Sequence, residues 1–543
     1  MIQNINKVKI NLQENKATTL LATILLLCLF WLKEINFLFY DTLESPDIYK
    51  NVVYLEHFFN NTITNKEHGL MYYYLQSLNY SIFYSEFNNF ELYIHKSIQQ
   101  VNFYLFLFGL VGYYKLLRLL KFSANTILAT LIFLNFFPPS ISMRLVFKPE
   151  ILAFALLPWI ILIFEMFIIK RKIIYLYILI PLIVSTITIK GNVLVIITIY
   201  LFFTYLKIVL MIQNKNIFII LSLFFISLTV ITLENNKSNG KSILDIQSGS
   251  AIENNYDYKA SLSVVYKTNM YQLITSPIKH NHADSFIGIT LLETTGDYFD
   301  LYWDNDATEY LKNRKVLLTY EQSNEIKGPV YNEAESNLII FQQRNTDVYL
   351  YESLGIFVSI ILFFNLIRYT IKYSKYRKYL LAIFFGMAVL LFHSITGIPK
   401  NNFDPLVGDT FKPLYYSFVF LFSFVFLIAL LLKEKFYRTL YLGLYCLLIV
   451  FIIGFPKNEN FVGNIEIAQK IQISQFCFIE KSVYLQNSEF EDIQCRNQKV
   501  ISTENSEYEI YKNNINHKPL NLIFILLNLI SVIYVSLNKR LIR

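Results

Sequence analysis

The chain is short of charge. Asp, Glu, Lys and Arg make up 16% of its 543 residues, against roughly 25% in ordinary soluble domains. That shortfall argues against a soluble enzyme. With 54% hydrophobic residues it also excludes a disordered chain, because disorder requires low hydrophobicity and high charge. Cysteine is scarce as well, and four in this length exclude a disulfide scaffold. Neither a Walker nor a G-x-G-x-x-G motif is present. What the chain has in abundance is apolar and aromatic side chains, including 40 Tyr and 48 Phe, with a mean hydropathy of +0.40. This composition predicts an all-α polytopic membrane protein.

A bilayer core about 30 Å thick is crossed by roughly 20 apolar residues in helix. Twelve such runs are readable, near 17–39, 101–118, 124–143, 150–169, 173–189, 192–212, 216–233, 351–371, 379–397, 413–432, 437–455 and 520–537. The first is too long for a signal-peptide core and lacks a small-residue cleavage site, so it is kept as a span. Lys and Arg near span ends set the orientation. One set of flanks holds twenty-two basic residues, among them Lys115, Arg118, Lys121, Lys170, Arg171, Lys172, Arg368, Lys372, Lys375, Arg377, Lys378 and Lys433. The opposite short loops hold five, namely Arg144, Lys148, Lys190, Lys400 and Lys412. The richer set is expected to be cytoplasmic, with both termini inside, in a plasma (inner) membrane. The +8 net charge is mostly this bias and calls for no nucleic acid.

The expected organisation is then a seven-span N-terminal module, 1–233, carrying an external loop at 41–100. A large external loop, 234–350, follows, then spans eight to eleven in 351–455. A last external loop, 456–519, and a final span with its tail, 520–543, complete the chain. The cytoplasmic loops are too short for a βαβ nucleotide-binding unit, so chemistry is expected at the external face. Short apolar stretches in 234–350, such as 262–266, 316–320 and 338–341, read as strands or brief helices and suggest a small α+β cap. Cys477 and Cys495 share the last external loop, where they could pair or remain as two thiols.

The first loop concentrates acids at the membrane edge. Asp41, Glu44 and Asp47 fall within seven residues, and Ser45-Pro46 is a helix-start signal that sets Asp47 in a first helical turn. An ionised carboxylate there could take a proton from an acceptor hydroxyl or bind a metal; it could equally be ordinary capping. An amphipathic surface helix follows, then a second beginning at Glu67-His68-Gly69-Leu70-Met71-Tyr72-Tyr73-Tyr74.

An acid soon after span one, a surface helix and E-x-G-x-x-Y-Y-Y-like wording together resemble the integral-membrane glycosyltransferases of the GT-C superfamily. The nearest likeness is to the family-39-like, protein mannosyltransferase and aminoarabinose transferase group. Met143-Arg144-Leu-Val-Phe-Lys148-Pro149-Glu150, opening a span, resembles the same group. So do the segment from Thr295 through Asp297-Tyr298 to Asp304 and, more weakly, Gly408-Asp409 to Tyr416 with Lys412. The resemblance implies transfer of a sugar from a polyprenyl-phosphate donor to a glycan, lipid or protein acceptor at the external face. The anomeric centre would be inverted. It makes Asp47 the candidate base, with Asp41 and Glu44 as alternates. Glu67, His68, Arg144, Lys148, Glu150, Asp297, Tyr298, Asp409 and Lys412 become candidate substrate-binding residues. Arg144, Lys148 and Lys412 suit a leaving phosphate, though each could also be a base snorkelling to the interface. No metal ligand set is assigned; a divalent cation, magnesium or manganese, is the one cofactor left open.

Other residues divide between function and structure. His280, His282 and Asp284 have a metal-ligand look in a loop. Glu165 and His393 are ionisable groups inside spans, where function is the default hypothesis, but both sit near enough to an interface to snorkel. Two further functions compete. A twelve-span transporter fits the span count, but not the lopsided loops or the charge-poor midplanes. An O-antigen-type polymerase or ligase fits the large external loops, but not the acid cluster after span one.

Overall fold

The computed structural model describes residues 22, 71–84, 90–145, 147–189, 193–209, 214–239, 262–275, 285–293, 345–396 and 417–434. Within them the chain is helical, with one 3-10 turn and no strand among the described residues. The helices are α1 (Met71–Phe83), α2 (Phe90–Leu119), α3 (Ala124–Phe136), α4 (Pro138–Leu145), α5 (Glu150–Lys170), α6 (Ile174–Ile189), α7 (Val193–Val209) and α8 (Asn214–Asn239). Three short ones follow, α9 (Ser263–Tyr266), α10 (Met270–Thr275) and α11 (Phe286–Glu293). The last are α12 (Asn345–Lys372), α13 (Arg377–Thr396) and α14 (Ser417–Leu431). Apart from residue 22, the expected spans at 17–39, 437–455 and 520–537 lie outside the described residues.

Nine of the apolar runs coincide with helices, but their bounds differ for physical reasons. The run 124–143 is broken, because Phe137 precedes Pro138. A residue before proline is pushed out of the helical region, and Phe137 is extended at φ −73°, ψ 124°. Its N–H still reaches back to the Leu134 carbonyl, 3.3 Å away. Chain continuity is recovered at once in α4, where the Ser140 hydroxyl bonds the Phe137 and Leu134 carbonyls. The helix α2 starts at Phe90, well before the apolar run at 101, because residues 90–100 mix charged and amide side chains with apolar ones and hold no continuous apolar run. Likewise α8 runs past 233 and α12 begins before 351. In 234–350 the described stretches are the end of α8, then α9, α10 and α11, and the start of α12, so the expected mixed α+β cap is helical where it is described.

The most extensively packed pair is α2 with α5. They run parallel: Phe106 stacks on Phe154, Gly112 meets Pro158, and the Lys115 ammonium lies 4.9 Å from the Trp159 ring. Two glycines permit the approach. A Cβ on Gly109 would lie 2.7 Å from Phe154, and one on Gly112 would lie 2.8 Å from both Pro158 and Trp159. Pro158 lacks the N–H that the helix would otherwise bond. The Trp159 indole N–H instead reaches across to the Phe108 carbonyl at 3.1 Å. The helix α5 is buried along almost its full length and sits at the centre of the bundle. Among the described residues it alone is long and apolar enough to cross a membrane, with a mean hydropathy of 2.5, and five shorter apolar helices accompany it.

The turns after α2, α5 and α12 and the end of α14 meet at one end of the bundle. Phe122 packs on Tyr376, and the Lys433 ammonium lies 4.0 Å from the Phe122 ring. Lys372 pairs with Glu434, and Lys378 with Glu165. Glu165 is therefore no snorkelling group. It is buried, takes hydrogen bonds from Lys378 and the Tyr379 hydroxyl, and joins α5 to α13. Two αL caps, Arg171 at φ 56° and Lys121 at φ 68°, end helices there. Arg171 closes α5 by bonding the Phe167 carbonyl at 2.8 Å.

Candidate functional site

At the opposite end, three elements converge on α2: the loop helix α1, the α3–α4 break and the start of α5. Helix α1 buries Tyr72, Tyr73, Gln76, Ser77, Asn79 and Tyr80. It presents amides and hydroxyls inward because they match a polar stretch of α2. Asn79 donates to Ser97 Oγ at 2.8 Å. The Tyr72 hydroxyl donates to Asn102 Oδ1 at 2.8 Å, and Gln76 Nε2 donates to the same atom at 3.4 Å. The other half of that amide, Asn102 Nδ2, donates to the Arg144 carbonyl at 2.9 Å. One side chain on α2 thus joins the loop helix to the segment that follows the Pro138 break. Phe147 closes the corner against both Tyr72 and Tyr73, with ring centres 5.7 and 6.0 Å away.

Three candidate residues occur together in this corner. Arg144, Lys148 and Glu150 are 2%, 3% and 2% exposed, so none reaches out to an interface as a snorkelling group would. Glu150 opens α5 behind Pro149, whose carbonyl accepts from Leu152 and Ala153. An anion in a first turn is favoured by the helix dipole. Arg144 donates through Nη2 to the Asn135 carbonyl at 3.0 Å, one of the carbonyls that the end of α3 leaves open. Its guanidinium lies 4.5 Å from the Phe106 ring centre. Its Nε and Nη1 are buried with no hydrogen-bond partner, as are both amide atoms of Asn135. A buried donor left unmet costs about 1–3 kcal/mol, more when charged. Burial draws the Arg144 guanidinium down from its ordinary value, to about 9. Burial likewise pushes the Tyr72 hydroxyl up; its Gln76 and Asn102 bonds oppose that rise and the neighbouring Glu150 charge adds to it. Tyr72 is held as a neutral donor.

The remaining candidates, Asp41, Glu44, Asp47, Glu67, His68, Asp297, Tyr298, Asp409 and Lys412, lie outside the described residues, as do His280, His282, Asp284, Cys477 and Cys495. Among the described residues no three His, Cys, Asp or Glu side chains cluster as a metal site. Sequence reasoning quoted Tyr72 only within the Y-Y-Y motif and overlooked Gln76, Asn102 and Asn135. Asn102 and Asn135 each interrupt an apolar run, which was the signal available for them. No protein-family model, no curated protein and no solved structure matches this chain.

Proposed function

We propose that this chain is a multi-pass membrane glycosyltransferase that moves a sugar from a polyprenyl-phosphate donor to an acceptor at the external membrane face. The observation that carries the proposal is the buried set Arg144, Lys148 and Glu150, at the bundle end remote from the basic turns. Transfer from such a donor releases a phosphate, whose developing charge is stabilised by cations already oriented and shielded from water. Arg144 and Lys148 supply them. The acceptor hydroxyl must lose a proton as the anomeric carbon becomes cationic, which suits a carboxylate base. Asp47 is assigned that role, with Asp41 and Glu44 as alternates. Glu150 is assigned to substrate binding beside the two cations, and Glu67, His68, Asp297, Tyr298, Asp409 and Lys412 complete the proposed set. A divalent cation, if one is needed, falls to the acids of the loops.

A bilayer as the surrounding solvent is supported by the outer faces of the helices. On α12 an exposed stripe runs Phe357, Ile360, Phe364, Ile367 and Ile371, while Ser359, Asn365 and Thr370 are buried beside Leu362 and Leu366. A continuous apolar outer stripe over a mixed inner face is unlike a water-facing helix. With twenty-two basic residues on one set of flanks and five on the other, the proposed orientation puts the basic turns and both termini in the cytoplasm.

The test is transfer in membranes from a panel of polyprenyl-phosphate sugars to endogenous acceptors. Asp47→Asn should abolish transfer with normal membrane expression; retained turnover removes Asp47 from the base role. Vectorial uptake without transfer would replace the proposal with a carrier. Extension of one glycan by whole repeat units would replace it with a polymerase.

A further inference from the structure

Arg144 and Asn135 hold each other through the wrong atoms for a closed structural pair. The guanidinium spends one amino group, Nη2, on the backbone carbonyl of Asn135, 3.0 Å away, and keeps Nε and Nη1 unbonded. The Asn135 side chain belongs to the same residue as that carbonyl. It is fully buried with Nδ2 and Oδ1 both unbonded. By contrast Asn102, one turn of α2 from Phe106, has both ends of its amide engaged. The two unmet groups differ in what they ask for. A guanidinium asks for oxygens of an anion and binds phosphoryl groups through parallel N–H donors. A primary amide offers a donor and an acceptor side by side, which complements a hydroxyl that both gives and takes a hydrogen bond. Phosphate oxygens meet Arg144 and can accept from the Asn135 amide nitrogen, but they leave its Oδ1 acceptor without a donor. A sugar phosphate satisfies both.

We infer that Asn135 reads a hydroxyl of the donor sugar while Arg144 holds the phosphate to which that sugar is attached; this rests on the lipid-linked-donor function proposed above. Asn135 is then a specificity residue, and the end of α3 created by Pro138 is part of the donor site.

The test uses the full chain in lipid nanodiscs with two kinds of probe: farnesyl phosphate, and farnesyl phosphoglycosides of glucose, mannose and arabinose. Affinity and unfolding temperature are read for wild type, Asn135→Leu and Arg144→Met. Leucine keeps asparagine's branching at Cγ, is somewhat larger, and removes the unmet amide. Asn135→Leu should unfold close to wild type, because relief of the unmet amide offsets the added bulk, and should bind farnesyl phosphate equally well. It should bind the preferred phosphoglycoside about tenfold more weakly. Arg144→Met should weaken both kinds of probe. If Asn135→Leu keeps every affinity, whatever its unfolding temperature, the amide does not read the sugar and the inference is overturned. Phosphoglycoside binding that depends on Asn135, without transfer to any acceptor, sinks the transferase function and leaves this inference standing. Transfer with unchanged donor affinity and KM in Asn135→Leu does the opposite. A wild type that binds neither probe removes both.

Discussion

The two ends of the bundle treat buried charge in opposite ways. At the basic end, Glu165 receives the Lys378 ammonium and the Tyr379 hydroxyl, and the Lys378 ammonium also lies 4.4 Å from the Tyr200 ring centre. Tyr379 in turn stacks on Phe426 at 4.4 Å, and its carbonyl accepts from Ser423 at 3.1 Å. Arg377 bonds the Thr370 carbonyl at 3.0 Å. The carboxylate and both cations there are met by their own chain. At the Arg144 end the guanidinium rests on Phe106, meets one carbonyl and keeps Nε and Nη1 open. A charge satisfied from within holds a fold together. A charge left partly open inside the same fold is available to something from outside, and that difference, rather than burial itself, separates scaffold from site.

The largest effect expected of breaking the contrast is on the scaffold side. Glu165→Gln leaves Lys378 without its carboxylate, and removing one partner of a buried pair costs about 3 kcal/mol. Unfolding in detergent should fall accordingly, and Glu165→Leu combined with Lys378→Met should recover most of the loss, since apolar replacement of a whole pair is often neutral. Equal loss in the double variant would mean that the pair is not what joins α5 to α13. Next comes the site side. Arg144→Met should lower sugar transfer by roughly 10²–10³-fold, as removal of one electrostatic stabiliser does, with little change in unfolding temperature. A collapse of stability with transfer per folded molecule unchanged would move Arg144 into the scaffold.

The smallest effect belongs to the exposed pair Lys372–Glu434. Burial raises the Glu434 carboxyl, but hydrogen bonds from Lys372 and Tyr373 outweigh it and hold the group below its ordinary value. The hydrogen bond to Glu434 holds Lys372 above its own. A depressed carboxylate contributes stability above its unfolded value and loses it as pH falls through the folded one. A raised lysine contributes below its unfolded value and loses it as pH rises through the folded one. The pair is therefore at full strength across neutral pH, though weak because solvent screens it. The difference in unfolding temperature between wild type and Glu434→Gln should be small and flat there, shrink in acid and shrink with salt. A difference that grows in acid would contradict this sign.

Much of the helical frame was legible because apolar runs are long and local. The starts of α2 and α12 were not, since both mix polar with apolar residues and hydropathy is silent on such a stretch. Pro138 was in plain view, but its consequence depends on Phe137 becoming extended while Ser140 repairs the lost bonds. Within the site, Arg144, Lys148 and Glu150 were readable from one octapeptide. Asn135 and Asn102 were not, because an asparagine in a helix carries no mark of whether its amide will find partners. Glu165 shows the same limit from the other side, because its cation is 213 residues away.

Trp159 offers an optical use of the glycine seam. The chain has three tryptophans, and this one has its indole N–H tied to the Phe108 carbonyl, its ring stacked on Phe108 and a lysine cation nearby. Indole emission shifts with the polarity around the ring. With Trp31 and Trp303 replaced by Phe, the wavelength and lifetime of Trp159 would follow the separation of α2 and α5 directly, without an added dye.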